Sequence, residues 1–270
     1  MQLAPSPYLS HIIKHYLVLE SDSDKSLNYR LFSDGNPGMV FYFKTPLMQY
    51  AGQHLSTHPT SFVYGQLTQY KDLISTGKLG MMVVVLQPHA IYTLSRIAAY
   101  ELNDSVVNLN DVFGSDAIGL HDQVLNAASI QNRISYIENF LLKKLNSVHS
   151  PDKVFTGALM LINDHQGNIS VAGLLNVLPV TERQLERKFK QFIGFGPKRF
   201  ADTVKLQHFL KLLQKHPSHS NIAEAVYEGG YYDQAHLNNY FKKNIGITPT
   251  QYQASSNPLA INFIQTQVFL

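Results

Sequence analysis

The chain has 270 residues, 44% hydrophobic and only 15% charged, enough for two domains with buried cores. It contains no cysteine, which excludes disulfides, thiolate zinc sites and thiol nucleophiles. Its net charge of +3 is unevenly placed: residues 151–253 carry 12 Lys/Arg against 8 Asp/Glu, the rest 10 against 11, and a basic excess confined to one half suits salt-sensitive binding to an anionic partner.

The chain opens on MQLAPSPYLSHIIKHYLVLE, with no basic segment leading into an uninterrupted apolar core. The longest apolar run, Met81 to Leu86, is far too short for a bilayer, so a cytoplasmic protein without membrane contact is expected. Tyr29–Phe32, Gly38–Lys44, Thr60–Gln66 and Leu79–Gln87 are apolar, β-branched or aromatic runs separated by Gly, Pro, Asn and Ser. They predict short strands in a small sandwich or partly open barrel. Behind the last run, His89, Tyr92 and Arg96 are candidates for the mouth of a ligand pocket; the plainer reading is a loop leading into a short helix. The histidine pairs His11/His15 and His54/His58 have four-residue spacing, but their surroundings are strand-like or broken by Gly and Pro, and no nearby glutamate completes a metal set. No metal or cofactor is expected. Asp122–Leu145 reads as a helix broken near Ser129. Its stripe of Ile130, Ile134, Ile137, Leu141 and Leu145 either covers the open face of the β domain or forms a dimer interface.

In the second half, Ile169–Phe192 gives a short apolar helix, a break at Leu178-Pro179, an N-cap at Thr181 and a second helix. On that helix Leu185, Phe189 and Phe192 face inward, and Arg183, Glu186, Arg187 and Lys190 outward. Pro197–Gln214 reads as a long helix with Phe200, Val204, Leu206, Leu210 and Leu213 as its buried stripe. Ile222–Tyr252 repeats the first pattern. Ala223, Val226 and Tyr227 share a face, Gly229-Gly230 ends the helix and Asp233 caps the next. There Leu237, Tyr240 and Phe241 point inward, leaving Gln234, Ala235, Asn238, Asn239 and Lys242 outside. The two caps lie 52 residues apart. The intervening helix, about 27 Å long at about 1.5 Å per residue, suits two reading helices (about 181–193 and 233–243) held roughly one DNA turn apart.

Residues 152–253 resemble the DNA-binding domain of the AraC/XylS family of bacterial transcription regulators. TERQLERKFKQFIGFGPKRF and IAEAVYEGGYYDQAHLNNYFKKNIGITPTQY carry the likeness. The resemblance implies base-edge contacts from Arg183, Glu186, Arg187, Ala235 and Asn239. It implies phosphate contacts from Thr181, Lys190, Gln234, Asn238 and Lys242. Arg183 and Arg187, one helical turn apart, are the expected guanine readers. The chain departs from the family at Leu175, where a small residue is usual, and at Pro179, where glycine is usual, so the first turn must be built differently. Asn239 stands where a basic residue is common, and Ala235 cannot hydrogen-bond, so the second unit is expected to anchor or to read thymine methyls.

GMVFYF, SFVYGQ, MMVVVLQPHAIYTL and ELNDSVVNLNDVFG resemble an N-terminal domain found on some AraC-type regulators. The expected fold is α+β: a small β-sandwich or barrel-like domain with following helices over 1–148, two helix-turn-helix units on a linker helix over 152–253, and an extension over 254–270. The extension, β-prone from Asn257 onward, is expected to add a strand to the sheet of its own chain, the alternative being a neighbouring protomer. The function implied is a sequence-specific DNA-binding transcription regulator controlled through its N-terminal domain. Its partners would be double-stranded DNA, a small-molecule effector, RNA polymerase and a second copy of the chain. The alternative is a ligand-binding or protein-interaction module with degenerate DNA binding. No catalytic constellation argues for an enzyme, and the missing cysteine excludes the methyl-accepting DNA repair proteins that share this type of module.

Overall fold

The run LGMMVVVL, Leu79–Leu86, is apolar at every position, and a strand of that kind must be buried on both faces. In the computed structural model, which describes residues 1–51, 54–145, 152–215, 226–231, 233–254 and 260–266, this strand lies inside a six-stranded sheet. Numbered in chain order, the strands are β1 Gln2–Leu3, β2 Ile13–Ser21, β3 Leu27–Leu31, β4 Gly38–Tyr42, β5 Met48–Ala51, β6 His54–Thr57, β7 Ser61–Tyr64, β8 Lys71–Ser75, β9 Leu79–Leu86, β10 Val106–Asn108 and β11 Phe263–Thr266. One sheet runs β1-β2-β9-β4-β7-β10 and the other β11-β3-β8-β5-β6, with antiparallel pairing.

The period of two sorts the side chains. Val40, Tyr42, Met81, Val83 and Val85 face the second sheet with Phe62, Leu73 and Phe263. Met39, Phe41, Met82, Val84 and Leu86 face away, under Ala90–Ser95, Leu109–Phe113, Ile118–Leu125 and Ile130–Leu145. The predicted break near Ser129 falls between the last two helices. Ile134, Ile137 and Leu141 are buried against the sheet, with Ile130 and Leu145 partly buried beside them, so the stripe covers the β domain.

The C-terminal half is helical: Lys153–Asp164, Val171–Val177, Glu182–Phe192, Pro197–Lys215, Gln234–Ile245 and Pro249–Ala254. Pro197 opens the linker helix, where its missing N–H costs nothing. Phe200, Leu206, Leu210 and Leu213 of the expected stripe are buried; Val204 is only half-buried. Ala201, Thr203, Phe209 and Leu212 are buried too, because the helix packs on several sides. Phe200 and Ala201 join the core of the first unit, Leu206 to Leu213 that of the second. The N-terminal domain takes a third side. Gln207 donates to the Ser33 carbonyl at 3.0 Å, Arg199 donates to that of Thr68 at 2.6 Å, and Gly35 lies against Phe200 and Thr203.

One expectation needs correction here. Tyr227 is not a core residue: it is 86% exposed, while Val226 beside it is buried. Ala223 lies outside the described residues. The tail does form a strand, and it pairs within its own chain, Phe263 opposite Leu31 through Thr266 opposite Asn28.

Candidate nucleic-acid interface

Each of the two helices expected to read DNA begins at a side-chain cap that fixes its first turn. Thr181 has extended φ/ψ and accepts from Gln184 N–H at 3.4 Å, while Gln184 Oε1 accepts from Thr181 N–H at 3.1 Å. This reciprocal cap engages the Thr181 hydroxyl internally. Asp233, also extended, accepts from His236 N–H at 2.6 Å. Each helix therefore presents ordered N–H groups and a positive dipole end, the preferred setting for a phosphate.

The turns before these caps are built differently. In the second unit Gly230 sits at φ +73, and a Cβ there would strike the Asn168 side chain, so glycine is needed for conformation and for space. Lys205 donates to the Gly230 carbonyl at 2.5 Å, tying the turn to the linker helix. In the first unit the helix ends at Leu178, whose N–H donates to the Leu174 carbonyl and whose extended φ/ψ suits the residue before a proline. Val180 N–H then donates to the Leu178 carbonyl at 2.8 Å, closing the break without a positive φ. Leu175 is half-buried at the edge of the first unit's core.

Arg183, Arg187 and Lys190 are exposed, on the face opposite buried Leu185 and Phe189. Glu186 is half-buried, with its carboxylate 3.6 Å from Lys190 Nζ and folded over Gly196. A base contact from Glu186 therefore requires it to leave both. Lys188 is directed elsewhere: it pairs at 2.5 Å with Asp152, the cap of Lys153–Asp164, and holds that carboxyl below its ordinary pKa. In the second unit Gln234, Ala235, Asn239 and Lys242 are exposed and Asn238 half-buried, over the buried Leu237, Phe241 and Ile245. Tyr240 is half-buried rather than fully inside.

Phe192, expected in the core, has two roles. It stacks on Phe155 at 4.6 Å within its own unit and meets Tyr92 of the N-terminal domain edge-on, also at 4.6 Å. Gln191 donates to the Tyr92 hydroxyl at 2.7 Å, and Asn103 donates to the Gly194 carbonyl at 2.7 Å. The end of the first reading helix is thereby seated on the N-terminal domain.

That seat accounts for the triad assigned to a pocket mouth, which the structure does not assemble as one. Tyr92 is occupied by Gln191 and Phe192; Arg96 lies over the Tyr92 ring, 5.8 Å from its centroid; and His89 packs edge-on against Phe155 with its pKa pushed down to about 4 by burial. None of the three lines the principal cavity, a space of about 500 Å³ between the two sheets. Its walls include Leu17, Val40, Phe62, Leu73, Val83 and Phe263. At one place Tyr42, His58 and Gln49 form a polar chain with both links 3.3 Å, and burial pushes the His58 pKa down to about 4. Lys14, Lys71 and Lys211 reach its rim from β2, β8 and the linker helix, and none of them has an ion-pair partner among the described residues. Asp34 and Asp104 also border it, Asp104 accepting from Thr68. The sequence held one clue to this site: Gln207, Lys211 and Gln214 recur at i, i+4 and i+7, a polar stripe beside the buried Leu206, Leu210 and Leu213.

A family model described as a helix-turn-helix domain matches residues 174–255, and one described as a domain of unknown function (DUF6597) matches residues 1–108. An uncharacterized HTH-type transcriptional regulator of Haemophilus influenzae is 28% identical over 100 residues, 37% of this chain and 33% of that protein. The HTH-type transcriptional regulator MtrA of Neisseria gonorrhoeae is 30% identical over 74 residues, 27% of this chain and 24% of that protein. The match thus spans a third or less of either relative's length. Among solved structures, ToxT from Vibrio cholerae superposes with a TM-score of 0.50 at 11% identity, over 88% of this chain and 97% of that one, a likeness of fold.

Proposed function

We propose that this chain, which carries over residues 174–255 the helix-turn-helix domain of the AraC-type regulators, is a sequence-specific DNA-binding transcription regulator controlled by a ligand in its N-terminal domain. The observation that carries the reading is the pair of capped helices, each with an exposed polar face, held on one linker helix. Phosphates are held by the helix N-termini with Lys190, Gln234, Asn238 and Lys242, and by Thr181 chiefly through its backbone, because its hydroxyl closes the cap. Arg183 and Arg187 read guanine, each good bidentate pairing contributing about 1–3 kcal/mol of discrimination. Ala235 and Asn239 give the second unit a weaker vocabulary, and Glu186 reads a base only after release from Lys190. Sequence selection on purified protein at near-physiological salt tests this. Failure of a folded sample to enrich any motif, with candidate ligands present, sinks it and favours the alternative, a ligand-binding module with degenerate DNA reading.

The effector site in this proposal is the cavity between the sheets, not the surface around His89, Tyr92 and Arg96. Its apolar walls and three lysines without ion-pair partners suit an apolar molecule bearing an anionic group. RNA polymerase is the partner that DNA binding serves, read by in vitro transcription from a selected site with and without the protein. Dimerisation through Ile130–Leu145 is not part of the proposal, because its apolar stripe is covered by the sheet.

A further inference from the structure

The five-stranded sheet is a partition between the cavity and the second reading unit. Successive residues of a strand point to opposite faces, and in β11 this divides two neighbours. Phe263 lines the cavity, joins the core between the sheets and meets the Tyr29 ring at 5.1 Å. Ile264, the next residue, is fully buried in the core of the second unit with Leu237, Phe241 and Tyr252. Across the ladder Ile264 faces Arg30. Arg30 bonds Asp72 at 2.6 and 2.9 Å, lies over the Tyr70 ring and donates to the Ile245 carbonyl, at the end of the second reading helix, at 3.4 Å.

The residues leading into β11 repeat this double attachment. Ala260, Ile261 and Asn262 border the cavity. The Tyr252 hydroxyl donates to the Ile261 carbonyl at 2.8 Å, and Asn262 and Phe32 exchange two bonds, each 3.1 Å. The first unit is held elsewhere, by Tyr92 and Asn103 among the helices that cover the other sheet. The linker helix touches both units and the cavity rim, so it cannot distinguish the units; among the described residues the tail engages only the second. β11 is also an edge strand, bonded among the described strands to β3 alone, and edge strands are the part of a sheet that opens at least cost.

We infer that residues 260–266 are a clasp through which the state of the cavity sets how firmly the second reading unit is held, leaving the first unit unaffected. The inference rests on the reading of the cavity as the effector site. A molecule filling the cavity presses on Phe263 and the segment before it, and that displacement moves Ile264 within the second unit's core.

Amide hydrogen exchange on the full chain, without DNA or ligand, tests this and is independent of whether the protein reads DNA. Ile264→Ala should speed exchange across 234–254 about tenfold while leaving 182–192 within about twofold. Tyr252→Phe, which removes the hydroxyl bond to the tail together with the longer one from Gln214 and leaves the strand intact, should act in the same place more weakly. It decides the question if Ile264→Ala does not fold. Val83→Phe, which adds volume to the cavity wall, stands in for occupancy and should change exchange in 234–254 selectively. Equal acceleration in both units would make the tail a general stabiliser and overturn the clasp, as would an unchanged second unit. A failed DNA selection alongside selective exchange would remove the regulator reading and keep the clasp.

Discussion

At the residue scale, exposed arginines and lysines on the same helical faces have separable consequences. Arg187→Ala removes a bidentate donor and should relax specificity at one base position, costing about 1–3 kcal/mol on the selected site and little on random DNA. Lys242→Ala should weaken binding to all sequences alike and lower the salt slope by about one. Competition gel shifts at several salt concentrations distinguish the two, and equal losses on specific and random DNA for Arg187→Ala would remove it as a base reader. A different residue-scale effect concerns His58 and His89, both pushed down to about 4 by burial. Their folded pKa lies below the unfolded value, so the unfolded chain binds protons first as pH falls. The stability they permit is fully present above about pH 6.5 and is lost progressively toward pH 4. Urea midpoints should therefore drop between pH 7 and pH 5, and His58→Phe should shrink the drop; a flat profile would contradict the neutral buried state.

At the scale of elements, the helices were legible and their environments less so. Caps and breakers are local: Thr181, Asp233, Gly230 and Pro197 announce helix ends because their own φ/ψ or side chains make the ends. Periodicity found Leu185, Phe189, Leu237 and Phe241 for the same reason. It misjudged Tyr227, because a three-residue pattern cannot tell an inward aromatic from an exposed one, and it could not foresee that Phe192 would serve two domains. Beyond the polar stripe on the linker helix it gave no sign of the cavity between the sheets, since Lys14, Lys71 and Lys211 lie on separate elements and meet only through the sheet topology. The second turn offers an element-scale test. Gly230→Ala forces a side chain into positive φ and into Asn168, so it should lower stability by about 1–2 kcal/mol or more. Pro179→Gly should cost less, because the first turn needs no positive φ. Thermal melts of both variants compare the turns, and equal losses would mean that the Gly230 environment adjusts freely.

At the scale of the whole molecule, the two reading units are seated at different places on one β-sandwich. The first rests on Tyr92 and Asn103, the second on Phe32, Arg30 and β11. Two readers joined only by a helix tolerate some bending; two readers also fixed to a common base do not. Such a protein should demand a fixed rotational relation between its two half-sites. DNA turns once in about 10.5 base pairs, so inserting five pairs carries one half-site to the opposite face. That insertion into a selected site should lower affinity more than about tenfold, toward the level of random DNA. Tyr92→Ala removes the ring under Phe192 and the acceptor of Gln191, freeing the first unit, and should recover part of the loss on the lengthened site. Gel shifts on the two sites with the two proteins give the coupling directly. Affinity that survives the insertion in the unaltered protein would mean that the seats release when DNA binds.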